Sequence, residues 1–458
     1  ILLLACHKAG ILCCFPPMTF RHKELTHILM TLNAAAVVTP MKYRNTDYLG
    51  MAKEIATDLP GLKHFIVIAD EAHGETVSFR DLMETDPGPE DPEKYLEPFA
   101  FNPFEVSMVV LSSGTTGMPK CIEHTGSSCR VAGQGVAQRA KITYKDIVGN
   151  IAPLSGGPGL QNWWAAFQAG ATTCILERFT PEGAFDFIQK EGITYLAAIP
   201  TQIIKMLKEA DPGKYDLGSL RVVRTGAAAF DAALARETED RLQCTVLIAG
   251  GSQETYSFAQ TGVEDSREKR LATLGKPFPG NEVRIRDDQG QALSQGEVGQ
   301  LWVRGAATSS GYFGDMETTL AAWGRLGKGG WYQTGDLAKL DDEGYLVLVG
   351  RKKEIIIRGG QNIYPKEIED QLLTHPKIMQ AVVLGIPDQV MGERACACIV
   401  LKDNEMFTFE EMVTFLKGKG LAIHKLPERL EKMAEFPQLV DGQKIDKISI
   451  KKSVLEKS

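Results

Sequence analysis

The sequence predicts an α/β protein, with a large multi-subdomain N-terminal domain built on parallel sheets plus a small β subdomain, and a small α+β C-terminal domain. Three observations predict it. Between about residues 150 and 250, short β-rich apolar runs alternate with amphipathic segments, the pattern of βαβ crossovers in a covered parallel sheet. After about residue 270 the texture turns to short, Gly-punctuated segments. From Arg351 a third texture, short strands and capped helices, runs for roughly a hundred residues, within the usual range for a domain.

Taken in order, Val106–Val110 reads as a strand, and so does Thr172–Leu176. A helix follows, opened by Pro181 in its first turn and stopped by Gly192, and then a strand over Tyr195–Ile199. Runs at Leu220–Val223 and Thr245–Ala249 flank the helical stretch Asp231–Leu242. In such a sheet ligands gather at the carboxyl ends of the strands. Gly296–Val303 predicts antiparallel strands. Beyond Arg351, Ile355–Ile357 and Ala381–Leu384 are strands, Pro365 opens a helix through His375, and Thr408 with Glu411 caps a helix through Phe415. The expected domains are residues 1–352 and 353–458.

Composition narrows the function. A chain of 458 residues, 43% hydrophobic and 24% charged, has material for at least two domains, and a net charge of −7 with mixed signs offers no basic face to nucleic acid. Nine cysteines without a C-x-x-C pair argue against a disulfide framework or structural zinc, and read as reduced core residues. Cys396 and Cys398 alternate with Ala395 and Ala397, which puts both sulfurs on one strand face. The apolar run Ile1–Phe15 is broken by His7 and Lys8 and is too short to span a bilayer. A cytoplasmic setting is therefore expected. The chain opens without Met inside a helix-like run, so its native N-terminal stretch is expected to be missing.

The sharpest motif is Leu111-Ser112-Ser113-Gly114-Thr115-Thr116-Gly117-Met118-Pro119-Lys120. Hydroxyls, glycines and a lysine in one turn suit a phosphate cradle, against the plainer reading of a flexible surface loop. A P-loop ATPase or kinase is disfavoured, because Gly114 and Gly117 are three apart and Pro119 precedes the lysine. Further along come Gly250-Gly251-Ser252-Gln253-Glu254, Gly296–Gly305 with Gly311-Tyr312, Tyr332–Leu337, Gly350-Arg351-Lys352-Lys353-Glu354, Gly359–Glu369, Ala422–Pro427, and Pro437 followed by Gly442-Gln443-Lys444-Ile445-Asp446-Lys447.

In this order and spacing, over nearly the whole chain, these segments resemble the core motifs of the adenylate-forming superfamily: acyl- and aryl-CoA synthetases, adenylation domains of peptide synthetases, and beetle luciferases. The resemblance implies ATP-dependent activation of a carboxylic acid as an acyl-adenylate, release of pyrophosphate, and transfer of the acyl group to the thiol of coenzyme A. A ligase loading a carrier-protein pantetheine is the near alternative, and a non-catalytic adenylate-binding protein the distant one.

The resemblance also implies roles. Lys444 reaches the carboxylate and the bridging oxygen, Glu254 holds Mg2+, Asp336 accepts from the ribose hydroxyls with Arg351 in support, and Ser112–Lys120 grips the outer phosphates, Lys120 supplying charge. Gly226-Ala227-Ala228 and Gly251-Ser252-Gln253 complete the nucleotide site. Lys353 is the hinge of a mobile C-terminal domain, and Gly359-Gly360 line the thiol tunnel, against the plainer reading of a tight turn.

The sequence departs from the family in three places. The aromatic residue expected before Gly251 is Gly250 and the expected Thr is Gln253, with Tyr256 as a candidate compensator. Gly156, beside Gly157, stands where relatives carry His or an aromatic residue, which opens an acyl pocket walled by Trp163 and Trp164, with Gly226-Ala227-Ala228 nearby. That wall shows no obvious counter-charge, so an uncharged apolar acid is expected. Gln443 is inserted before Lys444, which leaves Lys447 as the fallback catalytic lysine.

Overall fold

The computed structural model describes residues 1–458 apart from 86, 87, 89, 113–117, 227–229, 231, 327, 328, 403, 404, 440–443 and 458. The chain forms two compact units. The first comprises residues 1–127, 309–321 and 325–328. It holds a parallel sheet of Ala36–Thr39, His64–Val67 and Val77–Ser78, and a second sheet in which Val106–Ser112 pairs with Cys13–Cys14 on one side and Lys120–Thr125 on the other.

The second unit, residues 128–308, 322–324 and 329–458, is built on a seven-stranded sheet. Its strand order is Thr172–Ile175, Ile147–Asn150, Tyr195–Ala197, Val222–Gly226, Thr245–Ser252, Tyr256–Gln260 and Lys276–Pro277. The first five are parallel, as the βαβ alternation predicts. The helix Pro181–Glu191 starts and stops as its Pro and Gly signals require, with Gly192 left-handed at φ +62°. Both faces of the sheet are covered. Val223, Leu196 and Val246 pack under helices carrying Phe185, Ile188, Ile203 and Ala235, while Val148, Tyr195, Val222 and Leu247 pack against Val136, Ala140, Ala165 and Ala166.

The strands Asn281–Arg286, Gly299–Gly305, Tyr332–Leu340 and Leu346–Arg351 form the expected antiparallel sheet. Beyond it, the hairpin of Ile378–Asp388 and Gly392–Leu401 is the spine of an α+β module. Side-chain alternation sends Ala395, Ala397 and Ile399 into one core with Ile368, Leu372, Met412 and Leu416, and Cys396, Cys398 and Val400 into another with Ile450 and Val454. None of the nine cysteines, all of them described, is in a disulfide; four are buried and five only partly so, which narrows the core reading to Cys121, Cys129, Cys396 and Cys398. Among the described residues, no helix is long and apolar enough to cross a membrane.

Candidate active site

In the second unit, six charged side chains gather where the antiparallel sheet gives way to the C-terminal module: Asp336, Arg351, Glu354, Glu369, Lys444 and Lys447. Asp336 and Arg351 are cross-strand partners, and their carboxylate and guanidinium meet at 3.0 Å. The Asp336 amide donates to Thr334 Oγ1 at 3.0 Å, across the left-handed Gly335 within the strand. Burial pushes the Asp336 carboxyl up from its ordinary value, while the Arg351 guanidinium and then the Lys444 ammonium pull it down and Glu354 pushes it up. Lys444 is thus an electrostatic neighbour of Asp336. Its carbonyl accepts from Leu439 N at 2.9 Å, and the next residue, Ile445, bridges to Gln438.

Lys447, three residues on, is engaged differently. Asp446 caps the helix Lys447–Glu456, and the Lys447 Nζ lies 2.8 Å from Glu354 and 3.2 Å from Glu369. Burial pushes the Glu369 carboxyl up, and the Lys447 ammonium offsets part of that shift. Two carboxylates therefore hold Lys447.

Gln253, Glu254 and Thr255 form a tight connection at the carboxyl end of the parallel sheet, between Ser252 and Tyr256, which are themselves cross-strand partners. Ser252 N donates to Thr255 Oγ1 at 3.1 Å, and Glu254 is only 9% exposed. Gly251 is imposed by packing, because a Cβ there would stand 2.1 Å from the Tyr256 carbonyl oxygen. At Gly250 the space for a side chain is taken by Leu274, whose Cδ1 would lie 2.9 Å from a Cβ. Tyr256 does not replace the missing ring: it is fully buried, with its hydroxyl 3.6 Å from Cys129 Sγ. Gly226 ends its strand beside Ala249.

The remaining expected residues fall as follows. Gly156 caps the helix Gly157–Ala169. Trp164 is buried, its Cβ 2.8 Å from where a Cβ on Gly133 would stand, and Trp163 stacks on the exposed Phe167 with centroids 5.5 Å apart. Lys353 is exposed in the 3-10 turn Lys352–Glu354. Gly359 and Gly360, at φ +55° and +81°, are the two-residue turn joining Ile356–Arg358 to Gln361–Ile363, so the turn alone accounts for both glycines. In the first unit, Ser112 and Lys120 are cross-strand partners, and the Lys120 ammonium lies 4.4 Å from the Tyr312 ring centre. Ser113, Gly114, Thr115, Thr116, Gly117, Ala227, Ala228 and Gln443 lie outside the described residues.

The model of the AMP-binding enzyme family matches residues 1–313, and that of the AMP-binding enzyme C-terminal domain matches residues 367–440. This chain belongs to the AMP-binding enzymes of the adenylate-forming superfamily. It is 30% identical to a 2,3-dihydroxybenzoate-AMP ligase of Bacillus subtilis (strain 168), over 99% of this chain and 82% of the relative. It is 30% identical to a 2-hydroxy-7-methoxy-5-methyl-1-naphthoate--CoA ligase of Streptomyces carzinostaticus, over 98% and 81%. Among solved structures, the amide bond synthetase McbA from Marinactinospora thermotolerans superposes with a TM-score of 0.86 at 26% identity, covering 99% of this chain and 87% of that one.

In this AMP-binding enzyme one side chain at the site escaped the sequence reading. Arg224 stands in the middle of the strand Val222–Gly226, two residues before its carboxyl end, and is 3% exposed. Its Nε donates to Gln260 Oε1 at 2.8 Å, and its Nη2 to Ser257 Oγ at 2.5 Å and Gln161 Oε1 at 3.3 Å. A buried cation therefore stands two residues before Gly226, which the sequence reading placed near the pocket wall. The available signal was an arginine directly after the apolar run Leu220–Val223 and directly before Thr225-Gly226.

Proposed function

We propose that this enzyme spends ATP to convert a carboxylic acid into an acyl-adenylate and then passes the acyl group to the thiol of coenzyme A. The observation that carries the reading is the Asp336–Arg351 ion pair lying within electrostatic reach of Lys444. A carboxylate is a weak nucleophile approaching a polyanion, so the step depends on neutralising charge at the α-phosphorus more than on proton transfer.

In this reading Asp336 accepts from the ribose hydroxyls, and Arg351 orients its carboxylate. Lys444 neutralises the acid's carboxylate and the α-phosphate as one carboxylate oxygen bonds to phosphorus and the bond to the departing pyrophosphate breaks, pyrophosphate keeping the electron pair. Ser112–Lys120 grips the outer phosphates. Glu254, a nearly buried carboxylate beside the sheet's carboxyl end, suits Mg2+, which takes one or two protein carboxylates and completes its shell with phosphate oxygens. Bound there, the ion neutralises polyphosphate charge.

The second step needs a different arrangement, because sulfur attacks the acyl carbon and AMP leaves. Lys353, exposed where the antiparallel sheet ends, is the proposed hinge for residues 353–458 against residues 1–352. The Gly359-Gly360 turn is the proposed path for the pantetheine arm.

A single-turnover experiment separates the acceptors. Enzyme, ATP and acid are mixed, the acyl-AMP is resolved by chromatography, and then coenzyme A or a pantetheinylated carrier protein is added. Acyl-AMP consumed by coenzyme A supports the proposal. Acyl-AMP consumed only by the carrier assigns the carrier-loading alternative, and no acyl-AMP with any acid contradicts the adenylation itself.

A further inference from the structure

We infer that Arg224 is the specificity determinant of the acyl site and that the preferred acid carries a second carboxylate at its far end. The inference rests on the adenylation reading above. Its starting point is an unbalanced charge. A guanidinium cannot shed its proton inside a protein, so the buried Arg224 stays cationic. Its three hydrogen bonds go to Gln260, Ser257 and Gln161, all neutral, and among the described residues no carboxylate pairs with it. Buried charges are ordinarily paired or bound to a ligand.

The surroundings supply an independent observation. The ladder register aligns Asn150, Ala197 and Arg224 across three adjacent parallel strands, so that they share one row. Alternation from Val148, Tyr195 and Val222 puts that row on the face covered by the Gly157–Ala169 helix. Asn150 is 0% exposed, and among the described residues neither atom of its side-chain amide has a hydrogen-bond partner, nor does Gln260 Nε2. Ala197 between them contributes only a methyl. A fully buried amide with nothing to bond, in the same row as an unpaired cation, is a polar site awaiting a polar ligand.

Its position says which ligand. Asn150 and Ala197 are the last residues of their parallel strands and Arg224 stands two residues before the end of its own, near the edge where α/β sheets bind their substrates. Gln161 connects it to the proposed acyl pocket, because a Cβ on Gly157 would stand 3.1 Å from both Gln161 Nε2 and Gln253 Oε1. An acid reaching from that pocket toward Arg224 would offer its distal carboxylate to the guanidinium fork and an oxygen to the Asn150 amide. Arg matches a carboxylate in geometry as well as charge.

The test measures acid-dependent exchange of labelled pyrophosphate into ATP for matched pairs, hexanoate against adipate and benzoate against isophthalate, in wild type and in Arg224→Met. The expected result is a kcat/KM ratio favouring the diacid by at least about tenfold in wild type, collapsing toward one in the variant. Should Arg224→Met fail to fold, Arg224→Lys, which keeps the charge and loses the fork, is expected to give an intermediate ratio. A wild-type preference for the simple acid, a stronger preference for hydroxy or amino acids of the same frame, or a ratio unchanged in the variants would overturn the inference and leave the adenylation reading standing. Absence of exchange with every acid overturns both.

Discussion

Two lysines three residues apart have opposite jobs in this account. Lys444 neighbours Asp336, whereas Lys447 is locked between Glu354 and Glu369. Replacing Lys447 by Ala strands the buried Glu369 carboxylate and leaves the partly exposed Glu354 without this partner, and the expected cost is about 3 kcal/mol of stability, read as a lower midpoint in urea. Lys444→Ala is expected to leave that midpoint within about 0.5 kcal/mol of wild type and to slow adenylate formation at least about a hundredfold. Asp336 makes a complementary case. Burial already pushes its carboxyl up, so its charge is not a stabilising feature of the fold. Asp336→Asn should therefore keep or raise the melting temperature while the KM for ATP rises roughly ten- to a hundredfold, the worth of a charged hydrogen-bond pair to ribose. A variant that melts early with an unchanged KM would instead assign Asp336 to structure.

At the scale of elements, the Gly359-Gly360 turn divides two roles experimentally. A methyl on Gly360 meets nothing within 4 Å, so Gly360→Ala carries only the strain of φ +81°, roughly 1 kcal/mol. If the turn also passes the pantetheine arm, thioester formation falls about tenfold while pyrophosphate exchange holds; equal rates in both half-reactions would reduce the glycines to turn residues. Elements were the most legible level of the sequence. Pro181 and Gly192 bracket their helix as expected, because local signals decide helix ends. Arg224 was passed over because its meaning depends on tertiary partners: only the fold brings Gln161, Ser257 and Gln260 around it, and only strand register aligns it with Asn150. Tyr256 failed as a stacking candidate for the same reason, since its burial against Cys129 is settled by packing that motif spacing does not encode.

At the scale of the molecule, the amino ends of neighbouring strands of the central sheet are tied together by Asp146, which accepts from Arg221 Nε at 2.8 Å, Thr194 Oγ1 at 2.8 Å and Thr143 N at 2.7 Å. Burial alone would raise this carboxyl, but the Arg221, Thr143 and Thr194 bonds outweigh it and hold it below its ordinary value. A depressed carboxyl stabilises the fold fully above the unfolded value, about 3.9, and loses that contribution as pH falls through its folded value. Asp146→Asn is accordingly expected to cost about 2 kcal/mol in urea unfolding at neutral pH, with the gap to wild type shrinking as pH drops below about 4. A gap constant with pH would remove Asp146 from the electrostatics of the fold.

The measurement closest to the central claim is acid-dependent exchange of labelled pyrophosphate into ATP, run side by side on wild type, Lys444→Ala and Lys447→Ala. The account predicts exchange in wild type, its near-complete loss in Lys444→Ala, and retention in whatever fraction of Lys447→Ala remains folded. Exchange that survives in Lys444→Ala and vanishes in folded Lys447→Ala would contradict it and move the catalytic lysine three residues along the chain.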